Sequence, residues 1–530
     1  MYQQVLAPLA GSLGWSALAA ALPLIALFAL LGVVRMTAWK ASLLSLAIAL
    51  LVSVLVYPMP VDQALLSAAL GAAFGFFPIL WIVINALWIY NMTVTSGHFD
   101  VLQRSFSRVS SDRRIQAVII AFCFGALLEA LAGFGTPVAI TTVMLLALGF
   151  RPITAAAVAL VANTAPVAYG ALASPLITLA SVTGLPLGEL GALTGRQTPL
   201  LALFVPMVLV GIIDGFRGVR QTLPATLTCG FTFAVVQFAA SNYVSVPLTD
   251  ILAALVAAGC TVLLLRAWVP AGAHVDAAAK PEPDGRDQVL RAYAPYLIII
   301  AVFVVAQIGP VNDLLDAATL KFGWPGLHVT SPTGENLSLT KFKFDWLSNA
   351  GSLLLIAGVL TVPALRARPR TALDRYGATY VQLRWPIVTV VSVLAIAYVM
   401  NTSGQTTTLG TWMAATGALF PLLSPILGWL GTAVTGSDTS ANSLFGALQV
   451  AAADKVGAPS LLTAAANGSG GVLGKMISPQ NLAIAAGAVG MTGQEGDIFR
   501  RVLPWSVGFL AVMCALVYLQ STPVLAWMIP

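Results

Sequence analysis

The sequence predicts an all-α polytopic membrane protein with about 12 to 16 transmembrane segments, organised as two inverted-topology repeats that contain broken helices or re-entrant hairpins. Three observations predict it. Of 530 residues, 58% are hydrophobic and 9% are charged, where soluble domains carry about 25% charged residues. Apolar runs long enough to span a bilayer follow one another along the whole chain. A set of polar and small residues in the first half recurs, in order, in the second.

The composition already excludes several classes. So much apolar surface has to face lipid, and no stretch is polar enough for a sizeable soluble domain. The first apolar run, Ala17 to Val34, has no basic segment before it and no cleavage site after it, so it reads as a span and not as a leader. Cys123, Cys229, Cys260 and Cys514 sit far apart in apolar runs without ligand spacing, and read as small buried hydrophobes. His98, His274 and His328 lie in polar loops. No metal, cofactor or catalytic constellation is expected, and the net charge of +6 sits in short loops, which sets membrane orientation and does not suggest nucleic acid.

The apolar runs fall at 17–34, 42–56, 64–90, 115–132, 153–180, 198–213, 223–240, 250–266, 296–310, 346–363, 386–400, 422–435, 460–487 and 504–520. Shorter pieces at 138–149, 405–419 and 443–453 read as half-helices or hairpin arms. Arg35 and Lys40, then Arg104, Arg108, Arg113 and Arg114, then Arg217 and Arg220 mark one set of loops. Arg266, Arg286 and Arg291 lie in a longer linker, and Arg366, Arg368, Arg370, Arg375 and Arg384 form the densest cluster. The loops between them, Tyr57–Gln63, Ser241–Asp250 and Asn401–Thr408, lack arginine. Positive charge stays in the cytoplasm, so the N-terminus is expected in the periplasm. Alternation also puts 310–346 outside despite Lys321, Lys341 and Lys343.

The repeat divides the chain into an N-terminal pair of spans (1–63), repeat one (64–213), connecting helices and loops (214–384) and repeat two (385–530). Asn163, Gly170, Ser174 and Pro175 recur at one constant offset as Asn467, Gly474, Ser478 and Pro479. At nearly the same offset, Pro78 and Tyr90 match Pro386 and Tyr398, and Thr95-Ser96-Gly97 matches Thr402-Ser403-Gly404. Gly133-Phe134-Gly135-Thr136 matches Gly436-Ser437-Asp438-Thr439, Thr183-Gly184 matches Thr492-Gly493, and Arg196 and Pro199 match Arg501 and Pro504. The loop after Gly97 holds four arginines, whereas Gln405 to Leu423 holds no charge, so the copies meet opposite faces. Inverted repeats with interrupted helices are the architecture of secondary transporters, which bind near mid-membrane where the repeats meet.

The interruptions are therefore the candidate binding site. Gly133, Gly135, Thr136, Asn163 and Thr164 supply it in repeat one. Ser437, Thr439, Ser440, Asn442, Asn467, Ser469 and Ser478 supply it in repeat two. Irregular backbone at membrane depth lines a cavity or is buried in protein, and half-helix N-termini favour a carboxylate. The plain alternative is close packing through glycine and hydroxyls bonded to their own helix. Of the charged residues only Glu129, Asp438 and Lys475 lie well inside apolar runs, and none faces a charge at its matched position. Intramembrane charge is a functional candidate by default. Lys475 suits an anionic substrate, or else pairs with Asp438. Apolar surroundings disfavour a bare carboxylate, which makes Glu129 and Asp438 the candidate proton carriers. A carboxyl that only cross-links helices is the alternative for Glu129. Arg196 and Arg501 read as interfacial anchors.

At these residues the chain resembles the lactate permease family of bacterial proton-coupled symporters. Gly125 to Ile140, Asn163 to Ala171, Gly195-Arg196-Gln197, Phe342 to Trp346, Gly436 to Asn442, Gly474 to Asn481 and the final Trp527-Met528-Ile529-Pro530 carry the resemblance. It implies uptake of L-lactate, D-lactate or glycolate with a proton across the bacterial cytoplasmic membrane. A homo-oligomer is compatible with it. The residues alone leave a sodium-coupled carboxylate carrier open, because unwound carbonyls also hold Na⁺.

Overall fold

A computed structural model describes residues 2–530 except 35, 108, 111, 132, 134, 269, 271–283, 307, 335–336 and 492–493. Arg35, Arg108, Phe134, His274, Thr492 and Gly493 thus lie outside the described residues. Among the described residues, ten helices are long and apolar enough to cross a membrane, or eleven with the bent pair Pro152–Ala162 and Val167–Thr183. One of the ten, Leu187–Tyr243, is two helices in one, broken where Gly215 adopts φ 66°, ψ −165°. The arginine cluster expected as a loop is largely helical, because helix Pro369–Ser403 begins at Pro369 and carries Arg370, Arg375 and Arg384. A helix bonds its own backbone internally, so it can continue beyond its apolar part.

The two copies correspond element by element. Val61–Thr95 and Pro369–Ser403 open them, each ending at a left-handed glycine, Gly97 and Gly404. A short helix follows, His98–Ser107 or Gln405–Met413. A hairpin comes next. Its arms are Arg113–Leu131 and Thr136–Ala147 in copy one, and Phe420–Thr435 and Asp438–Val456 in copy two. The turns need positive φ, supplied by Gly133 and Gly135 in one and Gly436 in the other. The pieces at 138–149 and 443–453 are thus hairpin arms. A broken helix closes each core: Pro152–Ala162 meets Val167–Thr183 at 62°, and Ser460–Gly474 passes through a 3₁₀ turn, Lys475–Ile477, into Pro479–Ala488. Leu187–Tyr243 and Glu495–Gln520 follow.

These copies interlock reciprocally. The second hairpin arm of each, Thr136–Ala147 or Asp438–Val456, packs on the far half of the other's broken helix, Pro479–Ala488 or Gly170–Thr183. Arg113–Leu131 is 94% buried inside the protein, whereas Leu13–Leu31 and Ala38–Leu55 are 39% and 33% buried. The first is therefore shielded from lipid and the others face it. Within this core Cys123 and Cys229, distant in sequence, bring their sulfurs to 3.4 Å as free thiols.

The loops sort by charge onto two ends. Arg104 pairs with Asp284 at 2.7 Å, and the buried Arg114 holds Asp112 at 2.7 Å and Asp214 at 2.9 Å. At the other end, strand Tyr2–Gln3 pairs in parallel with Val329–Thr330. Tyr2 Oη donates to the carbonyls of Tyr57 and Ser403, and Gln63 donates to that of Gly326. The N-terminus, the arginine-poor loops at 57–63 and 401–408, and 310–346 thus share one end. The last includes a hairpin, Leu320–Gly323 with Lys341–Phe344.

Candidate functional site

Glu129 and Lys475 meet where the copies interlock. Glu129 rides on Gly125–Leu131 and is 3% exposed; Lys475 opens the 3₁₀ turn and is 6% exposed. Lys475 Nζ lies 2.5 Å from Glu129 Oε1. Oε2 accepts from Asn163 Nδ2 at 2.9 Å. Gly170 leaves room for the carboxylate, since a Cβ there would stand 2.7 Å from Oε1. The break of copy one and the break of copy two thus hold a single carboxylate between them. The pair expected between Lys475 and Asp438 is not the one formed: Lys475 turns to Glu129 instead, a partner the sequence did not suggest.

Asp438 lies alongside. It starts its helix just after Ser437, whose hydroxyl accepts from Ser440 N–H at 3.3 Å. Oδ1 takes a long 3.4 Å bond from Thr432, and Oδ2 has no hydrogen-bond partner among the described residues. Gly471 has to be glycine, because a Cβ would overlap Oδ1. The free N–H groups of that first turn and the partial positive end of the helix favour negative charge here.

A cavity of about 420 Å³ joins these groups. Copy one contributes Glu129, Gly133, Gly170 and Ser174, and copy two contributes Ser437, Asp438, Thr439, Ser440 and Lys475. Trp39 and Trp385 also line it, stacked at 4.5 Å, with Lys40 and Arg384 over their outer faces. Trp385 is 45% exposed and begins the apolar part of its helix, about 27 Å from Ser403 at 1.5 Å per residue. The tryptophans therefore lie toward the arginine-rich end.

Other expected residues stand behind this wall. Asn467 donates to Asn442 at 2.9 Å and accepts from Gln449 at 3.1 Å, while Asn442 donates to the Pro175 carbonyl. Ser469 donates to Gln197 at 2.7 Å, and Ser478 caps Pro479–Ala488. Gly135 packs on Asn481 and Ile484, and Thr136 starts its helix. Thr164 is buried, its hydroxyl unpartnered among the described residues.

Sequence reasoning missed three features. Ala171, Leu172 and Ala173 form a left-handed turn, with φ of 42°, 51° and 62°; no residue type there announces it. The tryptophan pair was visible only as two aromatic–basic dipeptides at the ends of spans, Trp39-Lys40 and Arg384-Trp385. Asp250, read as part of a loop, is fully buried and accepts from Gln237 at 2.9 Å. Among the described residues, no three of His, Cys, Asp and Glu gather as metal ligands.

The family model for L-lactate permease matches residues 16–524. Over their full lengths the chain is 41% identical to the L-lactate permease of Bacillus subtilis and 39% identical to that of Escherichia coli. It is also 40% identical to the E. coli glycolate permease GlcA, over 96% of each chain. Two solved transporters align loosely. MtrF of Neisseria gonorrhoeae does so at 14% identity and TM-score 0.46, over 86% of this chain and 83% of its own. YdaH of Alcanivorax borkumensis does so at 15% and 0.45, over 85% and 86%. The full-length sequence matches place this chain in the L-lactate permease family.

Proposed function

We propose that the chain is a secondary active transporter that imports lactate, L- and D-, and glycolate together with a proton across the bacterial cytoplasmic membrane. The arginine-rich end faces the cytoplasm and the N-terminus the periplasm. The names of the relatives support a 2-hydroxy monocarboxylate as substrate. The observation that carries the coupling is the buried Glu129–Lys475 pair. A substrate carboxylate entering the cavity competes with Glu129 for the ammonium. A proton on Glu129 releases Lys475 to the substrate, so anion and proton enter together and the buried charge stays balanced. Ser437, Thr439 and Ser440, which line the same cavity at a helix N-terminus, receive the 2-hydroxyl and the remaining carboxylate oxygen. Asp438, with one oxygen unpartnered, is the second protonatable group of the site.

Uptake of labelled lactate into proteoliposomes, with a pH gradient or a sodium gradient imposed, tests this. Accumulation that follows the pH gradient and is competed by glycolate is expected. Accumulation that follows sodium and ignores pH overturns proton coupling in favour of a sodium-coupled carrier.

A further inference from the structure

Asp250 is a buried acid that the transport cycle above leaves unused. It lies in the first turn of Thr249–Ala267, a helix that packs directly on Gly125–Leu131, the helix of Glu129. Its side chain is fully buried. Oδ1 accepts from Gln237 Nε2 at 2.9 Å, and Oδ2 has no hydrogen-bond partner among the described residues. A charge left alone at such a position costs several kcal/mol. An acid that merely served the dipole of its own helix would lie as well in water.

What surrounds Asp250 points toward the site. Gln237 Oε1 accepts from Thr198 at 3.3 Å, and its Nε2 also reaches the carbonyl of Ala165 at 3.4 Å. Ala165 belongs to the interruption Asn163–Pro166, whose first residue donates to Glu129. Among the described residues, Glu129 and Tyr169 are the titratable groups close enough to interact electrostatically with Asp250. The Tyr169 hydroxyl donates to the Gly191 carbonyl at 2.7 Å. Arg196, on the long helix packed against it, turns to Asn242 and the Met528 carbonyl instead. Cys123, on the π-helical turn Ile119–Phe124 that leads into Gly125–Leu131, faces Cys229. The helix that leaves the arginine-rich end at Gly215 runs on to Tyr243, about 42 Å at 1.5 Å per residue, and Asp250 follows shortly after it in the chain, toward the arginine-poor end.

We infer that Asp250 is a proton-carrying residue between Glu129 and the arginine-poor end, held toward the site by Gln237 and the carbonyl of the first break. This rests on the proton-coupled reading above. In an import cycle Asp250 passes its proton to the Glu129 carboxylate, which frees Lys475 for substrate. Asp250 is left charged until it is reprotonated from the arginine-poor side. One proton moves, and no other bond changes.

Asp250→Asn and Asp250→Glu in proteoliposomes test it, with three readouts: pH-driven accumulation of labelled lactate, lactate-induced proton movement, and lactate exchange at equal concentrations and equal pH. Exchange needs no net proton passage. Asp250→Asn is expected to lose accumulation and proton movement and to keep exchange, and Asp250→Glu to regain accumulation. Wild-type accumulation and proton movement in Asp250→Asn overturn the role of Asp250 and leave the transport reading standing. Loss of exchange along with accumulation, unrestored by glutamate, shows a structural role and also overturns it. A wild-type protein without proton-driven uptake removes the transport reading, and this inference with it.

Discussion

The two helix breaks occupy matched positions and do different work. In copy one, the chain unwinds at Asn163–Pro166 and then takes a left-handed turn at Ala171–Ala173. In copy two, the helix runs unbroken through Asn467 to Gly474 and yields only at Lys475–Ile477. Asn163 touches Glu129, while its counterpart Asn467 ties Asn442 to Gln449. Gly170 makes space for a carboxylate, while its counterpart Gly474 lets the backbone of Trp429 approach. A duplicated scaffold need not carry a duplicated site. Copy one supplies irregular backbone and an acceptor for positive charge, and copy two supplies the positive charge and a regular helix N-terminus.

The strongest way to break this comparison is at the charges. Lys475→Met leaves Glu129 buried and unpaired, which is expected to cost about 3–5 kcal/mol and to abolish uptake. Adding Glu129→Gln should recover most of the thermal stability of the purified protein without restoring transport. Equal melting temperatures for the single and double variants would show that the pair contributes nothing. Next come the matched glycines. Gly170→Ala and Gly474→Ala each overpack by about 1–3 kcal/mol, but the first should abolish uptake through Glu129 while the second chiefly lowers the melting temperature. Similar activity losses per degree of stability lost would erase the distinction.

The matched asparagines give a comparable test. Asn163→Ala removes a hydrogen bond to a charged group, worth about 1.5–3 kcal/mol, and is expected to act on the pH dependence of uptake. Asn467→Ala should act on stability and leave that dependence unchanged. A shifted pH profile for Asn467→Ala alone would reverse the assignment. The smallest effect concerns the left-handed turn. An L-residue there costs about 1–2 kcal/mol, which glycine relieves at an entropic cost of about 0.5–1 kcal/mol. Ala173→Gly should therefore hold or slightly raise the melting temperature, whereas Ile477→Gly lowers it by emptying a buried position.

Much of this was legible in the residues. Charge is expensive in lipid, so Glu129, Asp438 and Lys475 stood out against apolar runs. Glycine, proline and asparagine interrupt helices locally, so the break at Asn163–Pro166 and both hairpin turns were readable from spacing; the second break was not, because the helix runs on through Asn467 and Ser469 and yields only at Lys475–Ile477. Asp250 was not, because its run begins beside a polar loop and its burial depends on Gln237, on another helix.

By itself, the sequence determined the membrane class, the duplication, the first helix break, the hairpin turns and the three charges at membrane depth, because each follows from the local cost of placing a residue type in lipid or in a helix. Only the tertiary structure decided that Lys475 meets Glu129 across 346 positions and that Asp438 keeps an unpartnered oxygen. It also decided that Asn163 and Asn467 part ways and that Trp39 stacks on Trp385. Those outcomes depend on how two interlocked copies pack, and distance along the chain carries no record of which partner a buried charge will find.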